Sequence, residues 1–142
     1  MTPVHSSILL ICCLGWFGWN NTGSEKNPVT IPDDDLQKIT GKFSSYSQDG
    51  TIRVSFYNGT DWMVSDVDIT ITLVKTNVVR RFRVELWENQ KEGANWKRVQ
   101  VPLKPYTTAE LEGQIGDFAS GVASKDDWSW GIVSARGYKN AQ

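Results

Sequence analysis

From Gly41 onwards the hydrophobic residues recur at every second position rather than at the 3.6-residue spacing of a helix. Val67, Ile69, Ile71 and Leu73 alternate with Asp66, Asp68, Thr70 and Thr72. The same period runs through Ile52, Val54 and Phe56, and through Phe82, Val84 and Leu86 with Arg81, Arg83 and Glu85 between them. Successive strand side chains point to opposite faces, so each segment has one apolar and one polar side. Further strands are expected at 42–46, 99–103, 109–115 and 128–135, seven in all. Turn chemistry separates them: Gln48-Asp49-Gly50, Asn58-Gly59-Thr60-Asp61, Thr76-Asn77, Glu92-Gly93-Ala94-Asn95 and the prolines at 102 and 105. Antiparallel strands of this kind bury their apolar faces by packing sheet on sheet. The expectation is an all-β, seven-stranded antiparallel immunoglobulin-like sandwich over residues 41–142. No later segment supplies the helix of a βαβ crossover, which excludes parallel α/β folds.

Residues 1–22 differ in kind. They contain no Asp, Glu, Lys or Arg, and the uncharged run to Trp19 is about 19 residues, near the ~20 that a bilayer-spanning helix needs. Trp16, Phe17 and Trp19 cluster at its far end, where amphipathic rings favour the headgroup layer. An uncleaved signal-anchor is expected. A cleaved signal, a lipid anchor at Cys12 or Cys13, and a buried element of the domain are the alternatives. Residues 23–40 read as a polar linker followed by a short helix. Asp33, Asp34 and Asp35 suit the positive end of its dipole, Leu36 and Ile39 share one side, and Gly41 is placed to stop it. The three aspartates lack the alternating ligands of a calcium loop.

Composition removes several function classes. Fifteen Lys plus Arg stand against 16 Asp plus Glu, so there is no basic surplus with which to neutralise a nucleic acid. His5 is the single histidine, and zinc-hydrolase and Ser-His-Asp chemistries lack their central residue. Cys12 and Cys13 are adjacent and cannot staple the core. The pairs Asp66 with Asp68, Glu110 with Glu112 and Asp126 with Asp127 are expected to point into water together, not across a cleft as glycoside hydrolysis requires. No catalytic residue, cofactor or metal is expected. Asn20-Asn21-Thr22 and Asn58-Gly59-Thr60 match the glycosylation pattern, and by position they also read as a linker and a turn.

The run Val54-Ser55-Phe56-Tyr57-Asn58-Gly59-Thr60, the strand from Val67 to Leu73, and Pro102-Leu103-Lys104-Pro105 ahead of Ala109-Glu110-Leu111-Glu112 carry a resemblance. Over about residues 51–115 the chain resembles FxLYD-type bacterial domains, with Leu73-Val74-Lys75 standing where the family has Leu-Tyr-Asp. The resemblance implies an immunoglobulin-like fold on the periplasmic or extracytoplasmic side of a cell envelope, with no shared enzymatic activity.

Seven tryptophans remain to be placed. Trp128 and Trp130 lie two apart on one strand face, shared with Ile132 and opposite Val133 and Ala135. They are expected to fill the core. The alternative is a carbohydrate platform on which Asp126 and Asp127 hydrogen-bond sugar hydroxyls. Trp62 is expected to cap the same core, and Trp87 and Trp96 to pair across a hairpin. Arg81, Arg83 and Glu85 should share a solvent face, with Glu85, Glu88, Glu92 and Glu110 neutralising the basic stripe. The expected function is a non-enzymatic, membrane-anchored module contacting a protein partner, with a small carbohydrate-binding module as the alternative.

Overall fold

A computed structural model describes residues 27–123 and 128–139. The chain runs β1 (Val29–Thr30), α1 (Asp33–Leu36), β2 (Ile39–Tyr46), β3 (Thr51–Asn58), β4 (Trp62–Leu73), β5 (Val78–Glu92), β6 (Asn95–Val101), β7 (Thr108–Gln114), α2 (Phe118–Ala123) and β8 (Trp128–Lys139). The seven expected strands are present, and the two-residue β1 is an addition. All the pairings are antiparallel. The strands hydrogen-bond along one path, β1-β8-β4-β5-β7-β3-β2, with β6 branching from β5. This sheet curls until its far members touch through side chains: Phe43 of β2 meets Trp128 of β8 edge-on, with ring centroids 4.9 Å apart. The fold is an all-β, curled antiparallel sheet.

Its concave face holds the core. Ile52, Val54 and Phe56 from β3, Val67, Ile69 and Ile71 from β4, Val84 from β5 and Leu111 from β7 are buried, as the alternation placed them. The short α2, which no periodicity announces, adds Phe118 and Val122 to this cluster. Phe118 stands edge-on to Phe82 at 5.5 Å. Ile71→Ala should cost about 2–5 kcal/mol, the range for emptying a packed aliphatic site. Thr70→Ala, on the opposite face, should cost under half as much in a denaturant titration. Equal losses would mean that the inward face is misassigned.

Among the described residues the ladders are interrupted at Ser44 in β2, Ser65 in β4 and Val133 in β8. In β4 the register slips at Ser65, so Trp62 and Val64 face inward before it and Val67 after it. In β8 it slips at Val133, which is exposed while Ile132 and Ala135 both turn toward the core. An unbroken alternation therefore misplaces Ala135: it joins the Trp128 and Trp130 face. Two residues opposing one is how a bulge shifts the phase.

The segment before Gly41 also departs from expectation. The helix is one turn, α1 has no side-chain cap, and Ile31 and Ile39 are buried in the core. Gly41 does not end a helix; it lies within β2. A Cβ there would come within 2.7 Å of both the Phe56 ring and the Trp130 indole, so only glycine leaves room for the two rings. Asp35 is used across the chain: the indole N–H of Trp62 donates to it at 2.9 Å and Lys38 pairs with it at 2.8 Å. Trp62 is buried, as expected of a core cap.

Candidate functional site

The convex face of the sheet is ionic, but not in the way the alternation suggests. Asp66 and Asp68 occupy polar positions of β4, yet both are buried, with only 2 % of the Asp66 side chain exposed. Arg136 from β8 grips Asp66 with two N–H donors, each at 2.9 Å. Arg81 donates to Asp68 at 2.7 Å and Arg83 donates to it at 3.2 Å. The pair does not point freely into water; arginines from the two neighbouring strands lie over it. Arg81 and Arg83 share the outer face as expected, but their neutralising partners are these aspartates and not the glutamates of the hairpin.

Burial pushes the Asp68 carboxyl up, but the hydrogen bonds from Arg83 and Arg81 outweigh it and hold the group below its ordinary value. A carboxyl with a folded pKa below its unfolded value of about 3.9 stabilises the fold above that pH. The contribution is lost as pH falls through the lowered folded value. Melting temperature should therefore decline on acidification below about pH 4, and decline less in Asp68→Asn, which has no charge to lose. Parallel declines in the two proteins would remove Asp68 from the acid response.

The register places Arg136, Asp66, Glu85, Glu112 and Arg53 in one row across β8, β4, β5, β7 and β3. Cations hold the ends and three carboxylates the middle. Asp66 has Arg136, while Glu112 has Arg98 and, at 3.4 Å, Arg53. Among the described residues, the Glu85 side chain makes no hydrogen bond or close ion pair, and its electrostatic partner is the more distant Arg136. β7 meets β5 at the single pair Glu85 with Glu112, next to Gly113, where a Cβ would stand 2.6 Å from the Arg83 carbonyl oxygen. Beside that crossing lies an open groove of about 610 Å³, lined in part by Arg83, Glu85, Trp87, Arg98, Glu112 and Gln114.

Beyond Glu85, β5 leaves the curled sheet and pairs with β6 alone. The resulting arm, from Leu86 to Val101, is largely exposed. Its turn at Gly93, in the left-handed conformation, sets Glu92 opposite Asn95. Trp96 then faces Lys91, and Trp87 faces Gln100. The expected pairing of Trp87 with Trp96 does not occur, although both lie on one face of the arm. Trp96 is 69 % exposed and Trp87 38 %. The guanidinium of Arg98 sits 5.1 Å over the Trp87 ring.

Trp128 and Trp130 are half-buried and pack on the core cluster, Trp130 edge-on to Phe56 at 6.2 Å. Asp126, Asp127, Cys12, Cys13, Trp16 and Trp19 lie outside the described residues, as does the whole 1–22 segment. Among the described residues, no helix is long and apolar enough to cross a membrane, and no group of His, Cys, Asp or Glu is arranged to hold a metal ion. No family model, curated protein or solved structure matches this chain.

Proposed function

We propose that this chain is a non-enzymatic, envelope-tethered β-sandwich module that binds a protein partner through the β5–β6 arm. The observation that carries this is Trp96, an indole 69 % exposed on an arm projecting from the sheet. Tryptophan is among the residues most enriched at the energetic centres of interfaces, where burying its large ring supplies much of the affinity. The two halves of the curled sheet act as the layers of the sandwich, residues 1–22 hold it at the membrane, and the FxLYD resemblance of residues 51–115 supports the extracytoplasmic placement. A sugar platform at Trp128 and Trp130 draws no support from two rings already packed against Phe43 and Phe56.

A photo-crosslinking amino acid in place of Trp96, in the full-length chain and in cells that make it, should give a discrete protein adduct. The same group at Val133, exposed on β8 of the body, should not. Failure at position 96, or one adduct from both positions, would refute contact through the arm. The tether is tested separately: the protein should stay with the membrane fraction through a high-salt wash.

A further inference from the structure

We propose that the groove between Glu85 and Trp87 is a binding site for a neutral oligosaccharide, separate from the protein contact at the arm's tip. Three observations lead there. First, the groove's charged lining balances: Arg81, Arg83 and Arg98 face Asp49, Glu85 and Glu112. All three arginines are already engaged, Arg81 and Arg83 by Asp68 and Arg98 by Glu112, so no free cation awaits an anionic ligand. The same balance gives a cationic ligand no net attraction either.

Second, Glu85 is a half-buried acceptor to which no described residue donates. It sits between two carboxylates, Asp66 and Glu112, as their direct cross-strand partner. Both neighbours have arginine partners of their own and Arg136 interacts with Glu85 through space, which leaves the Glu85 oxygens compensated in charge but without a donor at hydrogen-bond distance. A ligand hydroxyl can take the place of water as their donor with no charge of its own, and a hydrogen bond to a charged acceptor is among the stronger kind. Third, Trp87 lies on the same face, about 7 Å further along the strand. That separation suits a pyranose whose hydroxyls reach Glu85 while its C–H face lies on the indole. Arg98, which Glu112 holds, covers one face of that ring at 5.1 Å, so the sugar is assigned to the other face. The volume of about 610 Å³ falls within the range of small-ligand sites.

The full-length protein is titrated with maltotriose, cellotriose and triacetylchitotriose while tryptophan fluorescence is followed. A sulfated heparin hexasaccharide and spermidine serve as charged comparators. At least one neutral trisaccharide should saturate the signal with a Kd of about 1 mM or tighter. Trp87→Ala and Glu85→Gln should each weaken that binding by about tenfold or more while melting temperature is retained. Trp96→Ala, at the tip of the arm, should bind as the wild type does. Silence from all three neutral sugars overturns the proposal. So does preference for either charged probe, undiminished binding in both groove variants, or an equal loss in Trp96→Ala. None of these outcomes bears on the crosslinking result at position 96, so the two sites stand or fall separately.

Discussion

Asn58→Ala is expected to cost about 3–5 kcal/mol, read as a lower denaturant midpoint at unchanged slope. Asn58 has no solvent exposure and spends its whole polar capacity on one corner of the fold. Its Nδ2 donates to the carbonyls of Trp62 at 2.7 Å, Leu103 at 3.2 Å and Lys104 at 3.1 Å. Its Oδ1 accepts from the Thr60 N–H at 3.1 Å and the Thr60 hydroxyl at 2.6 Å. The β3–β4 turn and the loop before β7 are thus tied through a single side chain. Truncation strands several buried groups, each worth roughly 1–3 kcal/mol, and local relaxation recovers only part of that. Asn58→Asp should be worse at neutral pH, because it keeps the shape and turns a negative oxygen toward three carbonyls. If Asn58→Asp proved as stable as Asn58→Ala, this account of the corner would be wrong. The same burial removes Asn58 as a glycan acceptor in the folded chain.

Trp130→Ala should cost about 3–5 kcal/mol, the range for losing a large aromatic from a core. Its indole fills the space between Phe56 and the bare backbone of Gly41, where β8 and β2 approach from opposite ends of the sheet. Trp128→Ala should cost less, because its ring contact is with Phe43, itself only partly buried. Gly41→Ala tests the same space from the other side. Overpacking of this kind costs about 1–3 kcal/mol, since the added methyl meets both rings at 2.7 Å. An unchanged melting curve for Trp130→Ala would return the indole to solvent and revive the sugar platform there.

The strands are legible in the sequence because the sheet buries one side: alternation in β3, β4, β5 and β7 marks the core directly. It fails where backbone geometry intervenes. Ser65 and Val133 carry no sequence mark of a bulge, and each reverses the face taken by the residues after it. Asp66 and Asp68 read as solvent-facing, because only the pairing of β4 with both β5 and β8 brings Arg81, Arg83 and Arg136 over them. Asp35 reads as one of three carboxylates suited to a helix dipole, and besides Lys38 its partner is the indole N–H of a residue 27 positions away. The register of the arm, by contrast, is open to simple counting. A two-residue turn at Gly93-Ala94 fixes Glu92 opposite Asn95, and stepping back from it separates Trp87 from Trp96. The groove is not legible, since Glu85 and Glu112 become neighbours only through the crossing of β5 and β7.

β5 belongs to two structures at once: residues 78–85 are stitched to β4, and residues 86–92 form one side of the arm. No hinge separates the halves, because one unbroken strand spans Val78–Glu92. From Leu86 to Glu92 the chain advances roughly 20 Å. The arm is therefore a lever fixed to its fulcrum. Whatever grips its end is held at a set distance and angle from the body, and a pull on the tip loads the backbone of β5, which the pairs with β4 resist together. On the partner contact proposed for Trp96, such a mounting fixes the spacing between partner and body as well as the partner's identity.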